Sequence, residues 1–376
     1  MCNYREGIFI THRELEIINI IKGNPFISQQ EIADRLNITR SSVAVHITNL
    51  IKKGTIRGRG YFVDERKFIS VIGGANMDIV GHPFRTLRSA DSNPGEVNLS
   101  VGGVGRNIAE NLARLGTNTK LFTIVGNDIH GETIIRESEL AGIDMSHVKR
   151  TSEKGTGTYV AILNEDNEME VAIAAMDIYN ELNEDYLEEN RQLIEKSQII
   201  IFDTNLKEQA FLHGVRMFRD KKLFLDTVSH TKAMRAREII GLFDTIKPNR
   251  LEAEALTGIS IRDNGDLVEA ARTFHEKGVS NVFITLGENG VFYSNREEKG
   301  IIRSKKITPK NVTGAGDAFT AALVYAELEG MAITEKVKFA MGAAVLAMDA
   351  YSTINKGISV ENIRNNMNHM EEENVK

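Results

Sequence analysis

Asn311-Val312-Thr313-Gly314-Ala315-Gly316-Asp317-Ala318-Phe319 reads as a turn that feeds a helix. Two glycines flank one small residue, an acid follows at once, and an apolar helical run begins behind it. Without a Cβ, Gly314 and Gly316 let the backbone come close to a phosphate. The free N–H groups of the first helical turn then face the anion. Asp317 is placed to accept the proton of an attacking hydroxyl. No Lys-Ser or Lys-Thr closes the segment, so it is not a Walker-type phosphate loop. Taken alone, the same residues also fit an ordinary turn before a helix. The segments around it weigh on that choice.

Upstream, short runs rich in Val, Ile and Phe alternate with helical patterns. Runs 68–72, 120–125, 199–203, 223–226 and 282–286 read as buried strands, with helical patterns such as 105–115 and 266–277 between them. That alternation predicts an α/β fold: a mainly parallel sheet with helices on both faces. Segments 158–163 and 168–174 break the pattern and read as a hairpin around 164–167, a small β lid.

In such sheets ligands bind beyond the carboxyl ends of the strands, and four more polar segments fall there. Asp78 closes Gly73-Gly74-Ala75-Asn76-Met77-Asp78, and fits either a holder of sugar hydroxyls or a turn or helix cap. Gly102-Gly103-Val104-Gly105-Arg106-Asn107 leads into a helix. Its glycine pair permits close ligand approach, and Asn107 both donates and accepts hydrogen bonds. The spacing is wrong for a dinucleotide fingerprint. In Lys247-Pro248-Asn249-Arg250-Leu251-Glu252, Asn249 and Glu252 lie three apart on one helical turn. They fit the waters of a magnesium ion or a capped helix start. Thr285-Leu286-Gly287-Glu288-Asn289-Gly290 fits either a nucleotide phosphate contact or a plain hairpin.

The front of the chain has another character. Segment 11–23 reads as a helix with a capping box from Thr11 to Glu14. Segment 28–36 is a second helix, capped by Ser28 with Glu31 three residues on. Thr39 opens a third, whose buried stripe is Val43, His46, Ile47, Leu50 and Ile51. Segment 56–63 reads as a hairpin turning at Arg57-Gly58-Arg59-Gly60. Three helices and a basic hairpin resemble a winged helix-turn-helix module, over residues 1–66. By that resemblance the third helix enters the major groove with Thr39, Arg40, Ser41, Ser42, His46 and Asn49. His46 lies near the apolar stripe, so packing competes with a role at the bases. Arg57 and Arg59 would meet phosphates. An interaction module with a solvated basic face fits the same residues.

Charge follows this division. Residues 1–66 hold ten Lys/Arg and seven Asp/Glu, a net +3, within a chain of −6, which leaves −9 for the remainder. Apolar content of 41% and charged content of 26% describe an ordinary globular chain. The single cysteine, Cys2, allows no disulfide within the chain and fits a reducing cytoplasm. The N-terminal residues lack the apolar segment of a signal peptide. No run approaches the ~18 apolar residues of a membrane span. Residues 64–67 are the expected junction between a first domain of 1–66 and a second of 67–376.

In their order, the five segments of the larger part resemble the ribokinase-like sugar kinases, the phosphofructokinase-B type, across about 68–370. That resemblance implies a three-layer αβα fold with a β lid, and ATP with Mg²⁺ as cofactors. It makes Asp317 the base and Gly314, Ala315 and Gly316 the anion hole. It assigns Asn76, Asp78, Asn93, Gly102, Gly103 and Asn107 to the substrate. Asn249, Thr285, Gly287, Gly290 and Gly314 would lie along ATP, with Asp226 near its phosphates, and Glu252 with Asn249 would hold the metal through water. Ala90-Asp91-Ser92-Asn93-Pro94-Gly95 and the segments at 102–109, 247–254 and 311–317 further resemble the pseudouridine kinase branch. That branch phosphorylates a ribose 5′-hydroxyl. A kinase for another sugar or nucleoside, or a nucleoside-sensing transcription regulator, are the alternatives. Many sugar kinases of this type have Asp where this chain has Asn311, so the family's monovalent-cation site loses a carboxylate here. Paired DNA half-sites would suit a homodimer.

Overall fold

The computed structural model describes residues 10–57, 62–63, 67–304, 309–350, 352–367 and 370–374. It falls into two compact units. The first is drawn from Met1–Phe68 with Leu187–Gln198, the second from Ile69–Tyr186 with Ile199–Lys376.

The first unit contains three helices, His12–Gly23, Gln29–Leu36 and Arg40–Lys52. Thr11 and Ser28 each accept a backbone N–H three residues on, and Glu14 and Glu31 return the bond, so both capping boxes form. Asn37 ends the second helix in the left-handed region at φ 50°, which asparagine tolerates well. Ile17, Ile21, Ile32, Val43, Ile47 and Leu50 build the core. Ile51 does not join them: it is exposed, and His46 is only half-buried. The stripe drawn from the sequence was therefore one residue too wide at each side. Ile56–Arg57 pairs antiparallel with Phe62–Val63. The turn between them, with Arg59, lies outside the described residues.

The second unit is built on a nine-stranded sheet. Six parallel strands run in the order Thr119–Phe122, Ile69–Ile72, Ile199–Asp203, Lys222–Asp226, Thr245–Ile246 and Asn281–Thr285. Val291–Ser294, Lys299–Ser304 and Met370–Asn374 extend it antiparallel. The chain leaves Ile69–Ile72 in one direction and returns to Ile199–Asp203 on its other side. Right-handed crossovers then place the helices on opposite faces. Helices Val104–Arg114, Ala315–Leu328 and Ile333–Met348 pack with Ile69, Val71, Ile199 and Ile201. On the other face Phe202 meets Phe211 of helix Glu208–Met217 edge-on, ring centres 6.0 Å apart. Alternate residues of one strand thus serve two cores, which is why these strands read as unbroken apolar runs.

The lid is larger than the expected hairpin. Thr158–Leu163 and Met169–Ala175 pair as anticipated, but Asn76–Pro83 and Gly95–Gly102 complete a four-stranded sheet. Asn76 and Asp78 therefore stand on a strand and not in a turn. Gly95–Gly102 is exposed along most of its length, so no buried face wrote an alternating pattern into its sequence. The register puts Val97, Leu99, Val171 and Ile173 on one lid face, all more than half exposed. Asp78 lies on the other.

Candidate active site

The order of the strands reverses between the parallel strands Ile69–Ile72 and Ile199–Asp203, and their carboxyl ends open the crevice where such sheets hold ligands. Asp203 ties its floor together. Its Oδ2 accepts the N–H of Gly74 at 2.8 Å and of Gly105 at 2.9 Å. Burial holds the Asp203 carboxyl above its ordinary range against these bonds.

Asp78 reaches the crevice from the lid. Asn76 Nδ2 donates to its Oδ1 at 2.5 Å, and a Cβ on Gly102 would lie 2.1 Å from its Oδ2. A side chain at 102 would push that carboxylate out of its present position. Burial raises the Asp78 pKa, while the Asn76 bond and the Arg106 charge oppose the rise. The next residue, Gly103, starts helix Val104–Arg114 at φ 98° with no side-chain cap. Any side chain is strained at that φ, and a Cβ there would also sit 2.5 Å from Gly74 O.

Asn107, one turn into this helix, donates from Nδ2 to Asp317 Oδ2 at 2.8 Å. Asp317 itself stands in the first turn of Ala315–Leu328, whose N-cap is Gly314 at φ 83° without a side-chain cap. A Cβ on Gly314 would lie 2.2 Å from Thr353 O. The N–H groups of Gly316 and Asp317 have no acceptor within the helix at this position and are available to an anion. Asp317 is half-buried. Its pKa is pushed up to about 7, first by burial and then by the negative charge of Asp226, while Asn107 and Lys247 pull it back.

Lys247 was quoted in the sequence but not singled out. Its Nζ lies 3.1 Å from Asp226 Oδ2, and a Cβ on Gly316 would come within 3.2 Å of it. Burial works against its charge, but Asp226, Asp317 and Glu252 outweigh that and hold its pKa above the ordinary lysine value. Asp226 also accepts Thr320 Oγ1–H at 2.8 Å. Just past it, Val228 has φ 59°, a strained position for a β-branched residue. The signal for Lys247 was available: a lysine directly at the end of an apolar strand, before proline, stands among the strand-end acids.

Asn249 and Glu252 form a capping box. Asn249 Oδ1 accepts Glu252 N–H at 2.9 Å, and Glu252 Oε2 accepts Asn249 N–H at 2.8 Å and Thr227 Oγ1–H at 2.6 Å. The capped helix start, one of the two sequence readings, is thus present. It leaves Asn249 Nδ2 for a ligand. Among the described residues no three His, Cys, Asp or Glu gather as a metal site. The carboxylates of Glu252 and Asp226 fit an ion that keeps its waters and takes its remaining ligands from a phosphate, as magnesium does.

Thr285 N–H donates to Pro248 O at 3.0 Å, which sets strand Asn281–Thr285 beside Asn249. Residues Gly287–Asn289 then form a single helical turn between antiparallel strands. A cavity of about 600 Å³ opens here, lined by Asn249, Thr285, Gly287, Asn289 and Arg262 among others. Asp317, Asn107 and Asp78 are not in its lining. Gly290 stands at φ 91°, where it turns the chain back into the sheet.

Asn93 and Asn311 make local bonds. Asn93 is exposed in the turn between lid strands. Its amide donates to Arg88 O at 3.0 Å and Asp91 O at 3.1 Å, so it closes its own loop. Asn311 Oδ1 accepts Thr313 N–H at 2.9 Å and braces the turn before Gly314.

In the first unit Thr39 caps helix Arg40–Lys52. Its Oγ1 accepts Ser42 N–H at 3.1 Å and bonds the hydroxyls of Ser41 and Ser42 at 2.9 and 2.8 Å. Arg40 and Asn49 are exposed.

Two family models match successive parts of the chain. Residues 66–359 match the model of the pfkB family of carbohydrate kinases, and 10–57 match that of a winged helix-turn-helix DNA-binding domain. The uncharacterized sugar kinase YeiI of Escherichia coli is 35% identical over 94% of this chain and 98% of its own. Pseudouridine kinase of the same organism is 35% identical over 80% of this chain and 96% of its own. A solved ribokinase from Thermotoga maritima, 26% identical, superposes with a TM-score of 0.72 over 81% of this chain and all of that one. No helix among the described residues is long and apolar enough to cross a membrane.

Proposed function

Because the chain belongs to the pfkB family of carbohydrate kinases, we propose that it transfers the γ-phosphoryl group of ATP to the ribose 5′-hydroxyl of pseudouridine. The observation that carries the reading is the Asn107–Asp317 contact. It joins the helix started at Gly103 to the helix started at Gly314.

In this reading Asp78 and Asn107 hold the ribose, with Asn76, Gly102 and Gly103 shaping the space around it. Asp317 accepts the proton of the 5′-hydroxyl as its oxygen bonds to phosphorus and the bond to the ADP oxygen breaks. A base with a pKa about 7 is largely ionised just above neutrality. The N–H groups behind Gly314, Ala315 and Gly316, with the Lys247 ammonium, stabilise charge on the transferring group. Asn249, Thr285, Gly287 and Gly290 lie along the nucleotide. Magnesium, held through water by Glu252, Asn249 and Asp226, would neutralise phosphate charge when bound. The lid excludes water from the transfer.

We assign residues 1–66 to DNA binding, with Arg40, Ser41, Ser42, Arg57 and Arg59 at the duplex, and 67–376 to catalysis. The exposed apolar lid face, an extended patch of the kind that marks association, supports a homodimer. The lone Cys2 supports a cytoplasmic location. Asn311 engages its oxygen within its own turn, which disfavours a monovalent-cation requirement.

The test is a coupled ATP assay over pseudouridine, uridine, ribose and fructose. The reading predicts that pseudouridine has the highest kcat/KM. A strong preference for another acceptor overturns the substrate and leaves the kinase. No acceptor-dependent ADP release from any of them would favour a nucleoside-sensing regulator.

A further inference from the structure

The third helix of the first unit, Arg40–Lys52, turns Val43, Ile47 and Leu50 into the core. At about 100° per residue, the opposite face carries residues 41, 45, 48 and 52, with 49 beside them. Val45 lies at its middle and is 59% exposed. Thr48 is exposed one turn on, and its Oγ1 donates to Ala44 O at 2.8 Å. That bond turns the Thr48 hydroxyl back onto the helix and leaves its methyl as the group presented outward. Two apolar groups therefore sit together on a face that is otherwise polar.

The surroundings are basic as well. The helix carries Arg40 and Lys52 and no acidic residue. Ser41 and Ser42 hydroxyls are already bonded to Thr39, so the centre of the face has few free polar groups. A small apolar spot between cations suits a ligand that offers a methyl between anions. In the major groove only thymine does this: its 5-methyl lies between the phosphate rows, and Val, Ala and Thr methyls are its natural contacts. A protein partner would lack the rows of phosphates that match the flanking Arg40 and Lys52.

We propose that Val45 and the Thr48 methyl form a thymine-reading spot, which sets the DNA sequence this protein recognises. The proposal rests on the DNA-binding reading of the first unit. The expected effect is modest: loss of one buried methyl weakens binding about fourfold.

The experiment uses the full-length protein. Duplexes are selected from a random library at moderate salt, and affinity for the selected site is measured with each thymine in turn replaced by uracil, which lacks only the methyl. The expected result is one thymine per half-site whose replacement weakens binding about fourfold. In the double variant Val45→Ser with Thr48→Ser, which removes the methyls of both side chains and keeps the hydroxyl at 48, the same replacement should have little further effect, while Arg40→Ala weakens thymine and uracil duplexes alike. A selected site whose affinity ignores every uracil, or a uracil penalty that persists undiminished in that double variant, overturns the thymine spot and leaves DNA binding standing. No preference over random duplex removes the DNA-binding reading itself.

Discussion

Two helix starts at the carboxyl end of the main sheet meet the same electrostatic problem in opposite ways. Helix Arg250–Thr257 begins at Asn249, whose side chain caps it, and Glu252 returns the bond. Helix Ala315–Leu328 begins at Gly314, at φ 83°, with no side-chain cap. In the first, side chains accept the N–H groups of Asn249 and Glu252. The second has no side-chain acceptor for its own, which leaves them open to the anion proposed above, and Lys247 lies close to Gly316. A capped start mainly stabilises the fold, whereas a glycine start without a cap exchanges local stability for a binding site. Gly103 repeats the second pattern where the substrate is proposed to lie.

Substitutions that blur this contrast should have graded effects. The largest is expected for Gly314→Ala, which places a Cβ 2.2 Å from Thr353 O and strains a left-handed residue. Displacing the N–H groups behind it should lower kcat by about a hundredfold or more, the range for loss of an oxyanion donor. Steady-state kinetics beside a thermal melt checks this. Near-normal kcat in a folded variant would show that the uncapped start does not hold the phosphoryl group.

Lys247→Met comes next. Loss of a charged hydrogen-bond donor worth about 1.5–3 kcal/mol should cost tenfold or more in kcat/KM. It should also move the pH profile in one direction. The ammonium holds the Asp317 pKa down, so without it the carboxyl stays protonated to higher pH. Activity that needs the ionised base is lost as pH falls through that pKa, so the acidic limb should shift to higher pH. An unmoved limb would separate Lys247 from Asp317.

The smallest effect is expected at an ordinary capped start. Ser28→Ala removes the cap of helix Gln29–Leu36 and should weaken the first unit by about 1 kcal/mol. Kinase turnover should be unchanged. Hydrogen exchange across 29–36 reads the first effect, and the coupled assay the second.

How far these starts were legible in the sequence depended on where their signals lay. Thr11, Ser28 and Thr39 announced their helices because a cap is a local event of three or four residues. The strands of 199–203 and 223–226 were plain because burial on both faces makes them continuously apolar. Gly95–Gly102 was not, since a strand open to solvent on both faces carries no such pattern. Lys247 and Asp203 were missed for a related reason. Their importance lies in partners far along the chain, Asp226 and Asp317 for one, Gly74 and Gly105 for the other. Asn93 was marked by resemblance alone, and its side chain bonds within its own loop.

The account turns on Asp317 as the base at the glycine-started helix. The most direct measurement is turnover of pseudouridine by Asp317→Asn, with ATP affinity measured by calorimetry on the same preparation. The account predicts a fall in kcat of at least about a hundredfold, the low end for a general base, with ATP affinity retained. Turnover near that of the unaltered protein would remove Asp317 from the base role and contradict it.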